Sequence, residues 1–208
     1  MTRIPLRIPV EDITRQYPRI QAEVEAALAE VLPSGRYVLG PNVSAFEEEY
    51  AAYCQTRYAV GISNGTEALH LALAACGVGP GDEVVIPAPY WVSYSEQVEM
   101  VGAKPVIVKA PSEQGFKVTA DQIAAAITER TKALLINSPS NPTGAVYTEG
   151  EMREICELAV DKGIYIVSDE IYEHFIYDGH KAVSPAAFGP KRTAKRGSST
   201  VTSFSDLK

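Results

Sequence analysis

Two rhythms of apolar residues run along this chain. From Tyr17 to Val31 they fall at Ile20, Val24, Leu28 and Val31, the spacing of one helix face, and Gly35 stands just past the end of the pattern. Phe46, Tyr50 and Tyr53 mark a second amphipathic helix after Pro41. Further on, short apolar runs alternate with helical stretches. The pattern predicts a buried strand over 58–62, a helix over 66–75, a strand over 83–86, a helix after Tyr94, a strand over 104–108 and a helix over 119–127. It continues with a strand over 133–136, a helix over 148–161, a strand over 164–167 and a strand over 200–203. Thr148-x-x-Glu151 is a capping box, which places the start of the last of these helices. Strands that alternate with helices imply a mostly parallel sheet with right-handed crossovers, hence an α/β three-layer sandwich.

Composition narrows the class without naming a chemistry. The 208 residues, 46% of them apolar, suffice for one sizeable core, and no apolar stretch has membrane-spanning length. The net charge of −7 argues against a general nucleic-acid binder, whose footprint is basic. Cys54, Cys76 and Cys156 are too few and too widely spaced for a disulfide framework or a zinc site, so they read as buried free thiols. The amino terminus has no signal-peptide pattern, which points to the cytoplasm. Residues 181–196, locally basic and rich in small residues, read as a long solvated connection.

The chemistry lies at the ends of two predicted strands. Asn137-Ser-Pro-Ser-Asn-Pro-Thr-Gly144 follows the run 133–136, and Ser168-Asp169-Glu170-Ile171-Tyr172 follows the run 164–167. Asn141 and Asp169 would then emerge at the carboxyl ends of neighbouring parallel strands, where open α/β sheets bind ligands. A pyridine cofactor that acts as an electron sink needs an acid to keep its ring nitrogen protonated and hydrogen bonds to its phenolic oxygen. Asp169 can supply the first, and Asn141 and Tyr172 the second. Ser63-Asn64-Gly65-Thr66 turns into a helix, so the backbone N–H groups of Gly65, Thr66 and Glu67 would face outward at a helix N-terminus that favours a phosphate. A helix cap uses the same residue types and is the plainer reading of that segment. A turn at Asn141-Pro-Thr-Gly and a strand end at Asp169 are likewise the plainer readings of the other two motifs.

These motifs carry a resemblance. Residues 84–190, with Pro87-Ala-Pro-Tyr-Trp-Val-Ser-Tyr94, NSPSNPTG and SDEIYEHFIYDG, resemble the class I aminotransferases of the aspartate aminotransferase type, within the fold type I enzymes that use pyridoxal phosphate (PLP). The resemblance implies Asp169 at the pyridine nitrogen, Asn141 and Tyr172 at the phenolic oxygen, and Trp91 stacked on the ring. The plainer role for Trp91 is a place in a core or an interface. Residues 1–83 and 197–208 instead resemble the DegT/DnrJ/StrS-type sugar aminotransferases, PLP enzymes that mostly aminate keto-sugars. The two families place the Schiff-base lysine differently. Class I sets it directly after Ser-Phe-Ser, where this chain has Asp206; the sugar family spaces it as Ser-Phe-x-x-x-Lys, which Ser203 and Lys208 satisfy. Lys208 is therefore the candidate nucleophile and Ser203 a second phosphate ligand.

The resemblance implies a PLP-transferase large domain over 41–208, preceded by an arm and helix over 1–40. It also implies truncation after the lysine, with the small C-terminal domain of both families missing. The activity expected is transamination between an amino acid such as aspartate or glutamate and a 2-oxo acid. The partners expected are a small-molecule amino donor, a keto acceptor and a second copy in a homodimer, with no metal, nucleic acid or membrane. Amination of a keto-sugar is the enzymatic alternative, and a catalytically silent module that binds cofactor without turnover is the alternative of another class.

Overall fold

The computed structural model describes residues 12–54, 56–188 and 200–203. The chain divides into two compact units that meet at Gly61 and Ile62. In the first, helix α1 (Tyr17–Val31) opens with Pro18, whose missing N–H costs nothing at a helix start. A short 3-10 turn at Leu32–Ser34 follows and closes on Gly35 with φ 64°, as the apolar spacing predicts. Helix α2 (Pro41–Tyr53) stacks Phe46 on Tyr50 at 5.6 Å between ring centroids. Gly40 before it admits no side chain, since a Cβ would lie 2.7 Å from the Arg36 carbonyl oxygen.

The strand expected over 58–62 does not form. Among the described residues, 58–62 pair with no strand, and Tyr58 and Val60 are about three-quarters exposed. The backbone of Gly61 gives its N–H to the Glu47 carboxylate of α2 at 2.8 Å instead of to a neighbouring strand. A short apolar run becomes a strand only where a ladder partner lies alongside it.

The second unit holds the sheet. Strands β1 (Glu83–Ala88), β2 (Lys104–Lys109), β3 (Thr131–Asn137), β4 (Tyr165–Asp169) and β5 (Thr200–Ser203) run in the order β2-β1-β3-β4-β5, and every described pairing is parallel. Side chains alternate across the strands and build two cores. Val84, Ile86, Ala133, Leu135 and Val167 face helices α3 (Gly65–Ala75) and α4 (Ser93–Met100), which contribute Leu69, Leu73 and Val98. Val85, Leu134, Ile136 and Ile166 face helices α5 (Ala120–Ala126) and α6 (Glu149–Lys162), which contribute Ile123, Met152 and Ile155. The result is the three-layer sandwich expected from the alternation.

Helix limits follow local chemistry. Thr148 and Glu151 form the expected capping box at α6, and Thr119 with Gln122 forms another at α5. Gly163, with φ 66°, ends α6. Cys76 and Cys156 are buried and Cys54 is half-buried; desolvation pushes the thiols of Cys76 and Cys156 up to about 11.

At the amino end of β1, Glu83 is almost fully buried among donors. Arg130 reaches its Oε1 at 2.7 Å, Thr128 donates to its Oε2 at 2.6 Å, and Lys104 stands 3.7 Å away. The Thr128 and Arg130 hydrogen bonds hold its carboxyl below the usual range. This cluster ties β1, β2 and the turn before β3 at the end of the sheet opposite the motifs that follow β3 and β4.

Candidate active site

The order β2-β1-β3 reverses the direction of winding between β1 and β3, and α4 covers one face while α5 and α6 cover the other. At such a switch point the loops leaving the two strands diverge to opposite faces and leave a crevice at the carboxyl end. A crevice is present there, with Ile86, Pro89 and Tyr90 from the β1 side and Leu135, Asn137 and Ser140 from the β3 side among its walls.

Asn137 ends β3 in register with Asp169 at the end of β4. Its side chain braces three segments at once. The amide Nδ2 donates to the Asp169 carbonyl at 2.8 Å, and Oδ1 accepts the Asn141 N–H at 2.7 Å. Asn141 is thereby held over the strand ends, and its Nδ2 approaches the Tyr172 hydroxyl at 3.5 Å. Tyr172 comes from the turn after β4 and meets Phe175 edge-on. The structure thus brings Asn141, Asp169 and Tyr172 to one end of the sheet, with Asn137 as the brace that the sequence reading passed over.

Asp169 is 8% exposed, and among the described residues it forms no ion pair. Its Oδ2 accepts the Tyr94 hydroxyl at 2.8 Å and its Oδ1 accepts the Ile171 N–H at 3.2 Å. Burial raises its carboxyl above the usual range, and the two donors oppose that rise. Tyr94, on α4, is itself buried, and desolvation together with the Asp169 charge pushes its phenol far above its ordinary value. Next in the chain, Glu170 is also buried, and it accepts the hydroxyls of Ser168 and Ser184 on Oε1 at 2.8 and 2.9 Å. Burial again raises its carboxyl.

The other predicted residues fall as follows. Trp91 is half-buried just before α4 and meets Tyr94 nearly at right angles, with 5.8 Å between centroids. Gly65, Thr66 and Glu67 form the first turn of α3, but the Glu67 N–H is committed to the Asn64 side chain at 2.9 Å. The N–H groups of Gly65 and Thr66 remain at the helix start, where no carbonyl of the same helix can reach them. The backbone of Ser203 pairs with Asp169 across the β4–β5 ladder. Lys208 lies outside the described residues, as does the segment 189–199 that precedes β5.

The described residues fit a flat, cationic nitrogen heterocycle that bears a phosphate. A desolvated carboxylate with no described cation beside it, an amide beside a phenol, and a helix start whose Gly65 and Thr66 N–H groups have no partner among the described residues are the donors and acceptors that such a molecule needs.

The family model described as aminotransferase class I and II matches residues 16–205. An aspartate/prephenate aminotransferase of Cereibacter sphaeroides is 46% identical over 147 residues, which is 70% of this chain and 36% of that protein. The dTDP-3-amino-3,4,6-trideoxy-alpha-D-glucose transaminase of Streptomyces venezuelae is 41% identical over 168 residues, or 81% of this chain and 42% of that one. Among solved structures, the aspartate aminotransferase of Thermus thermophilus with maleate superposes with a TM-score of 0.70 at 36% identity, and the match covers 80% of this chain and 46% of that one. The chain spans less than half the length of these relatives.

Proposed function

Because the chain belongs to the aminotransferase class I and II family, whose members depend on PLP, we propose that it is the cofactor-binding part of a PLP-dependent aminotransferase. The observation that carries this reading is the buried Asp169 carboxylate, which no described cation neutralises, at the switch-point end of the sheet. The cofactor, when bound, supplies an electron sink for the carbanion formed at the substrate's Cα.

The chain's own residues then have distinct tasks. Asp169 holds a proton on the ring nitrogen, because an anion in a desolvated site strongly favours a neighbouring cation. Asn141 and Tyr172 donate to the phenolic oxygen. Trp91 would stack on the ring and hold its plane. The N–H groups of Gly65 and Thr66 take the phosphate with the Thr66 hydroxyl; Ser203 adds a second hydroxyl, and Glu67 lies in the same turn. Lys208 would be the amine that holds the cofactor, and it would move the proton at the substrate's Cα. We assign residues 41–208 to this domain and 1–40 to an arm and helix, a functional division that differs from the compact units divided at Gly61 and Ile62. We place the protein in the cytoplasm as a homodimer; among the described residues no helix is long and apolar enough to cross a membrane.

The substrates proposed are an amino acid such as aspartate or glutamate and a 2-oxo acid; the Cereibacter relative is named an aspartate/prephenate aminotransferase. A second reading, amination of a keto-sugar, is favoured by the 81% of the chain that aligns with the Streptomyces enzyme. The test starts from Trp91, the single tryptophan of the chain. Added PLP is expected to quench its emission, and borohydride should then fix a pyridoxyl group on Lys208, read by peptide mass. A chain that shows neither quenching nor label does not have the proposed function, and a label on another lysine removes Lys208 from it. Amino transfer from glutamate to 2-oxo acids or to nucleotide-linked keto-sugars separates the two substrate readings.

A further inference from the structure

We propose that Tyr94 is the positioning residue for Asp169: its hydroxyl fixes the carboxylate's orientation and keeps it ionised without supplying a charge that would cancel its own. The proposal rests on the reading of Asp169 as the group that faces a cationic ring nitrogen.

The geometry is specific. Tyr94 is 2% exposed, and its hydroxyl reaches Oδ2 of Asp169 at 2.8 Å across 75 positions of sequence. The phenol ring is boxed by Tyr90, stacked at 6.4 Å, and by Trp91, edge-on at 5.8 Å, so the hydroxyl has little freedom to leave. On the other oxygen the Ile171 N–H takes Oδ1. An ionised carboxylate has about four lone-pair sites, so each oxygen keeps one for a ligand. Among the described residues, the groups that act electrostatically on Asp169 or its phenol partner are Tyr94 from α4, Glu170 next in the chain and Tyr172 from the following turn, and none of these is cationic.

That choice of donor matters chemically. A lysine or arginine in place of Tyr94 would hold the carboxylate ionised equally well, but its positive charge would repel a protonated ring. A phenol donates a hydrogen bond and leaves the full negative charge to act on the ligand. Burial protects the arrangement, since it makes loss of the phenol's own proton costly. The same ring touches Trp91, so the orientation of the acid and the position of the ring-stacking residue are set together.

The experiment uses the 208-residue chain with labelled aspartate carboxyls, the Asp169 signal being assigned by its loss in Asp169→Asn. In the ligand-free protein, Tyr94→Phe is expected to move the titration midpoint of Asp169 upward by about one pH unit, because a desolvated anion loses a short charge-assisted donor. Site-specific 3-fluorotyrosine at position 94, a stronger donor of nearly the same shape, is expected to move it downward, and it also serves if the Phe variant does not fold. No movement in either protein overturns the proposal. The second arm compares PLP with an analogue in which a carbon replaces the ring nitrogen. Tyr94→Phe is expected to cut the preference for PLP about fivefold or more while affinity for the carbon analogue stays level. Equal losses for both ligands would make Tyr94 a packing residue and overturn the proposal. A parent chain that binds the two ligands equally well would instead overturn the reading of Asp169, and the ligand-free titration would still decide the role of Tyr94.

Discussion

Glu83 at one end of the sheet and Asp169 with Glu170 at the other are all buried carboxyl groups, yet they keep opposite company. Glu83 is met by Arg130, Lys104 and the Thr128 hydroxyl, and its carboxyl is held below the ordinary value. Asp169 and Glu170 are met by hydroxyls and a backbone N–H, and burial raises both. The amino end therefore stabilises the fold with its charges. The carboxyl end keeps charge under tension, which is how a site that must act on a ligand differs from a structural ion cluster.

The sharpest way to test that contrast is to neutralise Asp169. In an actively transaminating protein, Asp169→Asn is expected to lower the rate about 10²–10³-fold, the usual size of losing one well-placed electrostatic group. In the ligand-free chain the same change should leave the melting temperature level or higher. Asparagine can accept from Ile171 with its oxygen and donate to the Tyr94 oxygen, and the cost of a desolvated charge disappears. A variant that turns over normally, or one that melts well below the parent, would put Asp169 in the same class as Glu83.

Glu83→Gln should move in the other direction. A carboxyl held below its ordinary value of 4.5 adds stability at all pH above that value and loses it as pH falls through its folded value. The variant is expected to melt several degrees lower at pH 7, with the gap to the parent closing below pH 4.5. A gap that persists into acid would mean that geometry, and not charge, holds the amino end.

Much of this contrast can be read in the sequence, and the unread part has a physical cause. The apolar runs of β3 and β4 sit between turn residues that stop them, and Thr148 with Glu151 caps α6, so those elements follow from local rules. Strand β1 runs two residues past its predicted end, through Pro87, because its ladder with β3 closes at Val85 and the proline pairs only on the β2 side. The misread segment 58–62 has the composition of a strand but no ladder partner among the described residues, which no local pattern can reveal. The placement of Asp169, Asn141 and Tyr172 at one end of the sheet is legible because each lies in a contiguous motif just past an apolar run. That of Tyr94 is not, since its partner lies 75 positions away and its helix begins one residue before it, inside a string that draws the eye to Trp91.

A smaller effect belongs to Glu170. Its Oε1 accepts both serine hydroxyls, and glutamine keeps that oxygen while it removes the desolvated charge. Glu170→Gln is expected to raise the melting temperature by a few degrees at pH 7. The sign follows from linkage. A carboxyl raised above its ordinary value costs stability wherever it is ionised, and that cost vanishes as pH falls through its folded value. The gain should therefore fade in acid, opposite to the behaviour of Glu83→Gln. A loss of stability at pH 7 would show that the Glu170 charge is needed to hold Ser184 and the short helical turn at Pro185–Phe188.

The smallest expected change tests whether the carboxyl end leaves polar groups unsatisfied beyond its two acids. Gln97 lies one turn after Tyr94 on α4 and is 2% exposed; its Nε2 makes one long contact, 3.4 Å, to the Thr66 carbonyl at the start of α3. Its Oε1 has no partner among the described residues. An orphaned buried acceptor costs about 1–3 kcal/mol, and a long hydrogen bond returns only about 0.5–1 kcal/mol. Methionine has nearly the same length and volume and adapts to irregular space. Gln97→Met is therefore expected to stabilise the ligand-free chain by about 0.5–1 kcal/mol, measured as a higher urea midpoint with unchanged slope. A lower midpoint would mean that the oxygen finds a donor in solution, such as an ordered water beside the α3 start, and that the carboxyl end is as fully satisfied as the cluster around Glu83.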